Sequence, residues 1–366
     1  MEERKSILFS FMGLGYGGSR IAATFLKEHN YPAYAVNTAK VDLGKISVPK
    51  SHKLFLKNPF GGAGRDIRAG EKAFLDNTDA IRDFIRLNEI QKSEYVIQCT
   101  GGGGGTGTGG VLPMAKILRD EGINVGIIMT LPLESEDIET KRNCLMAIKE
   151  IYESRDIRPF IIVDNNKIST RYPNISIADF WARANKDITL TFHMLNRYSS
   201  EKGLIYSLDS ADYRKIITTP GCLVMGETTV KDFQSRARLA EGLRESISKG
   251  LYASDFNLSS SDKVGIILRG SPLLFKKIAE KDITYAFKHI KEVARAKSIY
   301  WGIYADHAYK DRIRVHSIFS GLELPIRRIQ ALIDETKSEI ELYEEKRSVK
   351  STGLDFDFFF DGENKK

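Results

Sequence analysis

Residues 98–118 read QCTGGGGGTGTGGVLPMAKIL, and the five consecutive glycines at 101–105 constrain the chain more than any other stretch. Glycine-rich linkers behave as flexible coils between polar, turn-rich flanks. Here the flanks are of another kind. Glu94 to Cys99 is a short apolar run suited to a buried strand, and Val111 to Leu118 has helical spacing with Pro113 in the tolerated first turn. The glycines therefore form a strand-to-helix turn. In such a turn backbone N–H groups and the positive end of a helix dipole converge, and the missing side chains let an anion come close. A phosphate group is the natural ligand.

The alternation continues through the first 165 residues. Ser6 to Met12, Ala33 to Asn37, Glu94 to Cys99, Asn124 to Thr130 and Pro159 to Asp164 are apolar or β-branched runs separated by helical pattern or loop. This predicts an α/β fold: a parallel sheet with helices on both faces, binding its ligand at the carboxyl ends of the strands. A helix is expected from Ile177 to Tyr198. Strand-like runs at 221–227, 263–270, 298–305 and 312–320, with helical stretches near 233–249 and 274–295, then predict a second, smaller α/β domain. Beyond Pro325, Ile326, Ile329, Ile333, Ile340 and Tyr343 recur at helical spacing and predict one long amphipathic C-terminal helix. The expected division is 1–175, a central helix at 176–202, the second domain at 203–325, the C-terminal helix at 326–350 and a tail at 351–366.

At 366 residues the chain exceeds a single ordinary core of about 150 residues. Its 55 basic and 48 acidic residues are spread along the chain, so the net charge of +7 reads as solvated surface. Direct contact with nucleic acid is not expected, since no basic patch is interleaved with aromatics. Cys99, Cys144 and Cys222 are few, distant from one another and set among apolar neighbours. They predict reduced thiols in a cytoplasmic protein, not a disulfide or zinc framework. The opening MEERKSILFSFMG reads as a first strand, not a signal peptide, and no run approaches the roughly 20 apolar residues of a membrane span.

Two further glycine clusters accompany the first. Gly13, Gly15, Gly17 and Gly18 follow the first strand and satisfy the G-x-G-x-x-G pattern of dinucleotide-binding folds. That fold, however, places an acidic residue at the end of its second strand, and here the residues are Val36-Asn37-Thr38. Gly61, Gly62, Ala63, Gly64 and Arg65 form the other cluster. Three glycine turns around one sheet suggest a nucleotide with several phosphates, held from several sides by backbone donors. The long turn is not a Walker A loop, because no Lys-Ser/Thr follows it.

Gly103-Gly104-Gly105-Thr106-Gly107-Thr108-Gly109 resembles the signature of the tubulin/FtsZ superfamily of polymerising GTPases, and the resemblance continues in order along most of the chain. Gly13 to Arg20, with Tyr16, is similar to the family's first phosphate loop, Val36-Asn37-Thr38 to the second and Gly61 to Arg65 to the third. Thr130-Leu-Pro132-Leu133 with Glu134 is similar to the fifth. Asn165 falls on the asparagine that recognises guanine, and Trp181 and Asn185 on the segment that stacks against the base and pairs with its edge. An amide offers guanine both a donor and an acceptor, and an aromatic face offers stacking area. The resemblance implies GTP and GDP as ligands together with Mg2+, whose protein ligands stay unassigned.

Asp209 and Asp212 stand three residues apart at the start of a helical stretch, on one side of it. Acidic residues in a first helical turn ordinarily serve the helix dipole. By the resemblance they belong to the family's N-x-D-x-x-D loop, at the pole away from the nucleotide. Head-to-tail stacking would bring their carboxylates to the γ-phosphate of the next subunit. The implied partner is a second copy of the chain, and the implied product of unclosed head-to-tail contacts is a filament.

Several positions depart from the FtsZ pattern. Arg20 replaces an Asn, Ser207 replaces the Asn of the catalytic loop, one extra residue follows Gly203, and no long polar linker precedes the tail. The long C-terminal helix and short tail look more like the TubZ branch, which segregates plasmid or phage DNA in the bacterial cytoplasm. There the filament engages a small DNA-binding adaptor, TubR, on a centromere-like site. On that reading DNA contact is indirect, no membrane is involved, and the four phenylalanines of the tail form a partner-binding peptide. The alternatives are a divergent FtsZ acting in cell division, a non-hydrolysing structural protein, and an NAD-dependent oxidoreductase built on Gly13 to Gly18.

Overall fold

Phe9–Leu14 (β1) is buried at every position, as a strand covered on both faces must be. The computed structural model describes residues 5–58, 61–154, 156–231, 233 and 235–348. The remaining strands are β2 (Ala33–Asn37), β3 (Lys53–Phe55), β4 (Tyr95–Gly101), β5 (Asn124–Leu131), β6 (Phe160–Asp164), β7 (Cys222–Val230), β8 (Lys263–Gly270), β9 (Ser298–Ala305) and β10 (Ile313–Leu322). The helices of the first half are α1 (Gly15–His29), α2 (Lys40–Gly44), α3 (Ile67–Asp76), α4 (Thr78–Leu87), α5 (Gly105–Gly109), α6 (Val111–Asp120), α7 (Ile138–Ser154) and α8 (Asn165–Arg171). Then follow α9 (Ile177–Tyr198), α10 (Ser210–Ile217), α11 (Arg236–Gly250), α12 (Pro272–Phe275), α13 (Glu280–Ala294) and α14 (Ile326–Ser348).

All ten strands form one sheet in the order β3-β2-β1-β4-β5-β6-β7-β10-β8-β9. Only β10 runs against the others, pairing antiparallel with both β7 and β8. The second half of the chain, expected as a second, smaller α/β domain, contributes β7 to β10 to the same sheet. The join is narrow. β6 and β7 share two register pairs, Phe160 with Cys222 and Ile161 with Leu223, whereas β4 and β5 share seven.

One face of the sheet packs on α1, α9 and α10 through Phe11, Phe25, Phe192, Leu195 and Ile216. Phe11 lies stacked on Phe25, and Phe192 meets both rings edge-on. Burying a ring of this size stabilises by roughly 2–3 kcal/mol, so this aromatic trio is a main fastening of α9 to the sheet. The other face is covered by α3, α4, α6, α7, α11 and α13, with Phe74, Phe84, Leu118, Ile148, Leu243 and Phe287 in the core. Among the described residues, no helix is long and apolar enough to cross a membrane. The expected tail at 351–366 lies outside the described residues.

Candidate functional site

Loops from the carboxyl ends of β1, β2, β4, β5 and β6 meet the 61–65 loop and the start of α9 around a cavity of about 520 Å³. A volume of that order holds a small-molecule ligand the size of a nucleotide. α1 opens after Leu14 with no side-chain cap and no acidic residue in its first turn, so its leading N–H groups and its dipole remain free for a ligand. By contrast α3, α8, α9 and α10 are capped by Asp66, Asp164, Ser176 and Asp209. Gly15 has φ of +68°, and the place where its Cβ would stand is 3.1 Å from the Gly107 nitrogen. Only a glycine there lets the first turn of α1 lie against that of α5.

The glycine run serves two ends. Gly104 lines the cavity and its missing Cβ would meet no protein atom, so the space beside it is open to a ligand. Gly105 instead faces the backbone of Asp66 and Ala63, and its nitrogen donates to the Gly64 carbonyl at 3.1 Å. This draws the 61–65 loop over the cavity. Three side chains complete the clamp. Thr38 Oγ1 accepts from Ala63 N at 3.0 Å and shares a hydrogen bond of 2.6 Å with Thr106 Oγ1. Asn143 of α7 donates from Nδ2 to the Arg65 carbonyl (2.7 Å) and the Gly103 carbonyl (2.9 Å), joining the two glycine loops from behind.

Seventeen of the sequence-predicted nucleotide contacts line this cavity: Gly15, Tyr16, Gly17, Asn37, Gly62, Ala63, Gly64, Gly103 to Gly107, Thr130, Pro132, Asn165, Trp181 and Asn185. Six stand behind or beside its wall. Gly13 packs against the backbone of Ser19, Gly18 against Cys99 and Gly109 against Ile67, so these three are glycines for close packing. Thr108 Oγ1 accepts from Gly103 N at 3.0 Å, Arg65 forms an ion pair with Asp137 at 2.7 Å, and the Glu134 nitrogen donates to Asn166 Oδ1 at 2.9 Å. Arg20 and Thr38, from the expected first and second loops, also line the cavity, and Asp42, Glu136 and Thr140 line it beyond the expected set. Thr140 and Asn143 do carry a sequence signal: with Lys141 they are polar residues among the buried positions of α7.

The polar end of the cavity is electropositive at its mouth, where Arg20 and Lys45 both lie over the Tyr16 ring. Asn37 is buried, its Oδ1 accepts from Ala39 N, and its Nδ2 has no protein acceptor. That donor is left for a ligand oxygen. At the far end Trp181 is half-buried beside the buried amides of Asn165 and Asn185. A flat ring system bearing amide-like edges fits this end. Among the described residues, the carboxylates on the wall are Asp42 and Glu136, and Glu136 accepts from Leu133 N. No cluster of three metal-ligating side chains exists among the described residues. Mg2+, which retains waters and needs only one or two carboxylates beside phosphate oxygens, fits this wall as a companion of a bound triphosphate.

Asp209 and Asp212 lie at the opposite pole. The parallel strands run from that pole to the cavity, and Glu94, just before β4, receives Arg214 of α10 in an ion pair. Ser210 Oγ donates to the carbonyl of Ser199, the C-terminal cap of α9. Asn185 stands 14 residues earlier on the same helix, about 21 Å along its axis. Asp209 is exposed and caps α10 by accepting from Asp212 N at 2.8 Å; Asp212 pairs with Lys215 at 3.0 Å. Beside them Leu204, Ile205 and Tyr206 are exposed apolar side chains in the loop ahead of α10. The three cysteines are buried and free, and burial pushes each thiol up from its ordinary value.

Residues 9–172 match the Tubulin/FtsZ family, GTPase domain, and residues 206–326 match the C-terminal domain of the tubulin-like protein TubZ. Tubulin-like protein TubZ of Bacillus cereus is 27% identical across 95% of this chain and 87% of its own length. Cell division protein FtsZ of Methanothermobacter thermautotrophicus is 26% identical across 80% of this chain and 72% of its own. Among solved structures, the GTPγS-form protofilament of Bacillus thuringiensis serovar israelensis TubZ superposes with a TM-score of 0.83 at 20% identity, covering 95% of this chain and 96% of that one. CetZ1 from Haloferax volcanii, a GDP-bound monomer, gives 0.74 at 20% identity, with 90% and 99% covered.

Proposed function

The chain belongs to the Tubulin/FtsZ family, joining that family's GTPase domain to a TubZ-type C-terminal domain, and from that premise we propose a filament-forming GTPase that moves DNA. GTP binds in the cavity, its phosphates held by the α1 and α5 turns and its guanine by Asn165, Trp181 and Asn185. Subunits stack head to tail, and the loop carrying Asp209 and Asp212 enters the neighbour's cavity. Their carboxylates orient the attacking water, while backbone donors hold the developing phosphate charge.

The observation that carries this reading is the separation of the two halves of the chemistry. The cavity lies at the carboxyl ends of the parallel strands and the Asp pair at their amino ends, so no subunit can serve its own phosphate. A second molecule can. The contact joins unlike faces and is therefore heterologous, which yields a filament unless it closes into a ring. The exposed Leu204, Ile205 and Tyr206 supply apolar area for it. Mg2+ would add charge neutralisation on the phosphates when bound.

Light scattering and phosphate release, recorded together over a range of protein concentrations with GTP, GDP, ATP or NAD, test the reading. Scattering and release should appear together, above a critical concentration, with GTP alone. Release that is linear in protein concentration without scattering rejects it, and saturable binding of NAD revives the oxidoreductase alternative.

DNA segregation is the finer part of the proposal. It is supported by the TubZ C-terminal domain match and by a TubZ relative that aligns over almost the whole chain. A small DNA-binding adaptor on a centromere-like array would engage the filament through residues 351–366, in the bacterial cytoplasm. A pull-down with a TubR-like DNA-binding adaptor should succeed with the full chain and fail after deletion of 351–366, with assembly unchanged.

A further inference from the structure

α14 reaches the nucleotide cavity from outside through one buried arginine. Arg328 is only 6% exposed and is absent from the cavity wall, yet it donates to three acceptors. Nε donates to Asp164 at 3.0 Å, Nη2 to the Pro132 carbonyl at 3.1 Å and Nη1 to Glu335 at 3.2 Å. Asp164 is the last residue of β6 and caps α8 by accepting from Asn166 N at 3.1 Å. Asn165 lies between these two and lines the cavity, as does Pro132. Glu335, two turns along α14 from Arg328, also faces the buried Lys141 Nζ at 3.5 Å, and Lys141 directly follows the cavity residue Thr140.

The charges explain why this contact is not ordinary packing. Asp164 is 2% exposed, and burial raises its carboxyl above the ordinary value while Arg328 pulls it down. Without the guanidinium the acid would be a buried charge beside Asn165, relieved only by taking a proton or by moving toward water. Either response shifts the turn that presents the Asn165 amide. A guanidinium forks to several acceptors in fixed directions, which an ammonium on a flexible stem does not do.

From these contacts we infer that Arg328 is a positioning residue for base recognition, so that the docking of α14 and the selectivity for guanine are coupled. The inference rests on reading the cavity as a guanine-nucleotide site. It also makes α14 a lever on that site: whatever draws α14 away weakens guanine selectivity, and guanine in the cavity holds α14 in place, because coupling is reciprocal.

The test uses the full chain below its assembly concentration, displacing a fluorescent GDP analogue with GDP, IDP and ADP. IDP lacks only the 2-amino group that an amide oxygen can accept, so the ratio of IDP to GDP Kd reports the placement of Asn165. Arg328→Met should lower that ratio about tenfold, and Arg328→Lys should lower it measurably while keeping a positive charge beside Asp164. Arg327→Met, one residue away and exposed, should leave it unchanged. If Arg328→Met does not fold, Arg328→Lys decides. Equal weakening of GDP and IDP with the ratio intact would reduce Arg328 to a packing residue and overturn the inference. A wild-type chain that binds GDP no better than ADP overturns the nucleotide reading and this inference together.

Discussion

A methyl group added at Gly104 would project beside the cavity without meeting protein, whereas one added at Gly105 would enter the backbone of Asp66 and Ala63. The two substitutions therefore separate ligand space from packing. Gly104→Ala should weaken GDP at least about tenfold with Tm unchanged. Gly105→Ala should weaken GDP and also destabilise the fold by about 1–3 kcal/mol, read by chemical denaturation. Equal Tm values for the two variants would contradict the division of roles. That the glycine turns, Asn165 and Trp181 belong to one site was legible because each lies in a short stretch that is local in sequence, and the structure gathers them around one cavity. The roles of Asn143 and Arg328 were not, since each acts on loops 40 to 196 residues away, and a polar residue in a helix does not name its distant partner. Gly13, Gly18 and Gly109 show the reverse error: a glycine required by packing looks the same in a sequence as one required by a phosphate.

At the scale of elements, α10 combines two duties in one residue. Asp209 caps the helix, and its carboxylate is also one of the pair proposed to act on the neighbouring subunit. Asn is as good a cap as Asp but lacks the charge. Asp209→Asn should keep Tm and GTP-dependent assembly and lose most of the phosphate release, whereas Asp209→Ala should in addition cost about 1 kcal/mol through the lost cap. Asp212→Ala should likewise spare nucleotide binding and leave filaments longer-lived, and unchanged steady-state turnover would reject its role. The long elements were readable. The expected bounds of α9, β8 and β9 coincide with the structure because each has a sustained period and ends at turn-forming or polar residues. β3 was not, because a three-residue, half-buried edge strand shows neither alternation nor a solid apolar run. The expected helix at 274–295 is broken into α12 and α13 by the turn through Lys276 to Ala279, where acidic Glu280 and Asp282 start a new helix.

The whole molecule carries two neutral histidines in its core. Burial, with Lys5, Arg197 and Arg269 nearby, lowers His193 to about 4. Burial beside Arg269 and Arg314 holds His316 well below its ordinary value. A histidine depressed in the native state contributes its full stability above the unfolded value of 6.5 and loses it as pH falls toward the native value. Stability should therefore fall below pH 6.5 by up to about 1.4 kcal/mol per pH unit for each histidine. Urea denaturation at pH 8, 6.5 and 5.5 checks this, and a His193→Gln variant should show a shallower loss.

A mixing experiment addresses the assembly itself. Asp212→Ala subunits keep an intact cavity and Gly104→Ala subunits an intact loop, so a mixture should release phosphate faster than the sum of the two alone, approaching about a quarter of the wild-type rate. A strictly additive mixture would place both functions within one subunit. The sequence reading expected two α/β units, and the fact that they share one sheet was hidden because pairing between β6 and β7 leaves no periodic trace.

That narrow join matters for any chain of subunits under tension. The two rungs between β6 and β7 are supplemented by the shaft of α9, by Arg214 on Glu94, by the Asp164 nitrogen on the Tyr252 carbonyl and by Arg328 on Asp164, so several ties between the halves converge on the turn where Asn165 sits. In the proposed filament, a pull on the second half would reach that turn through Asp164, the residue next to Asn165.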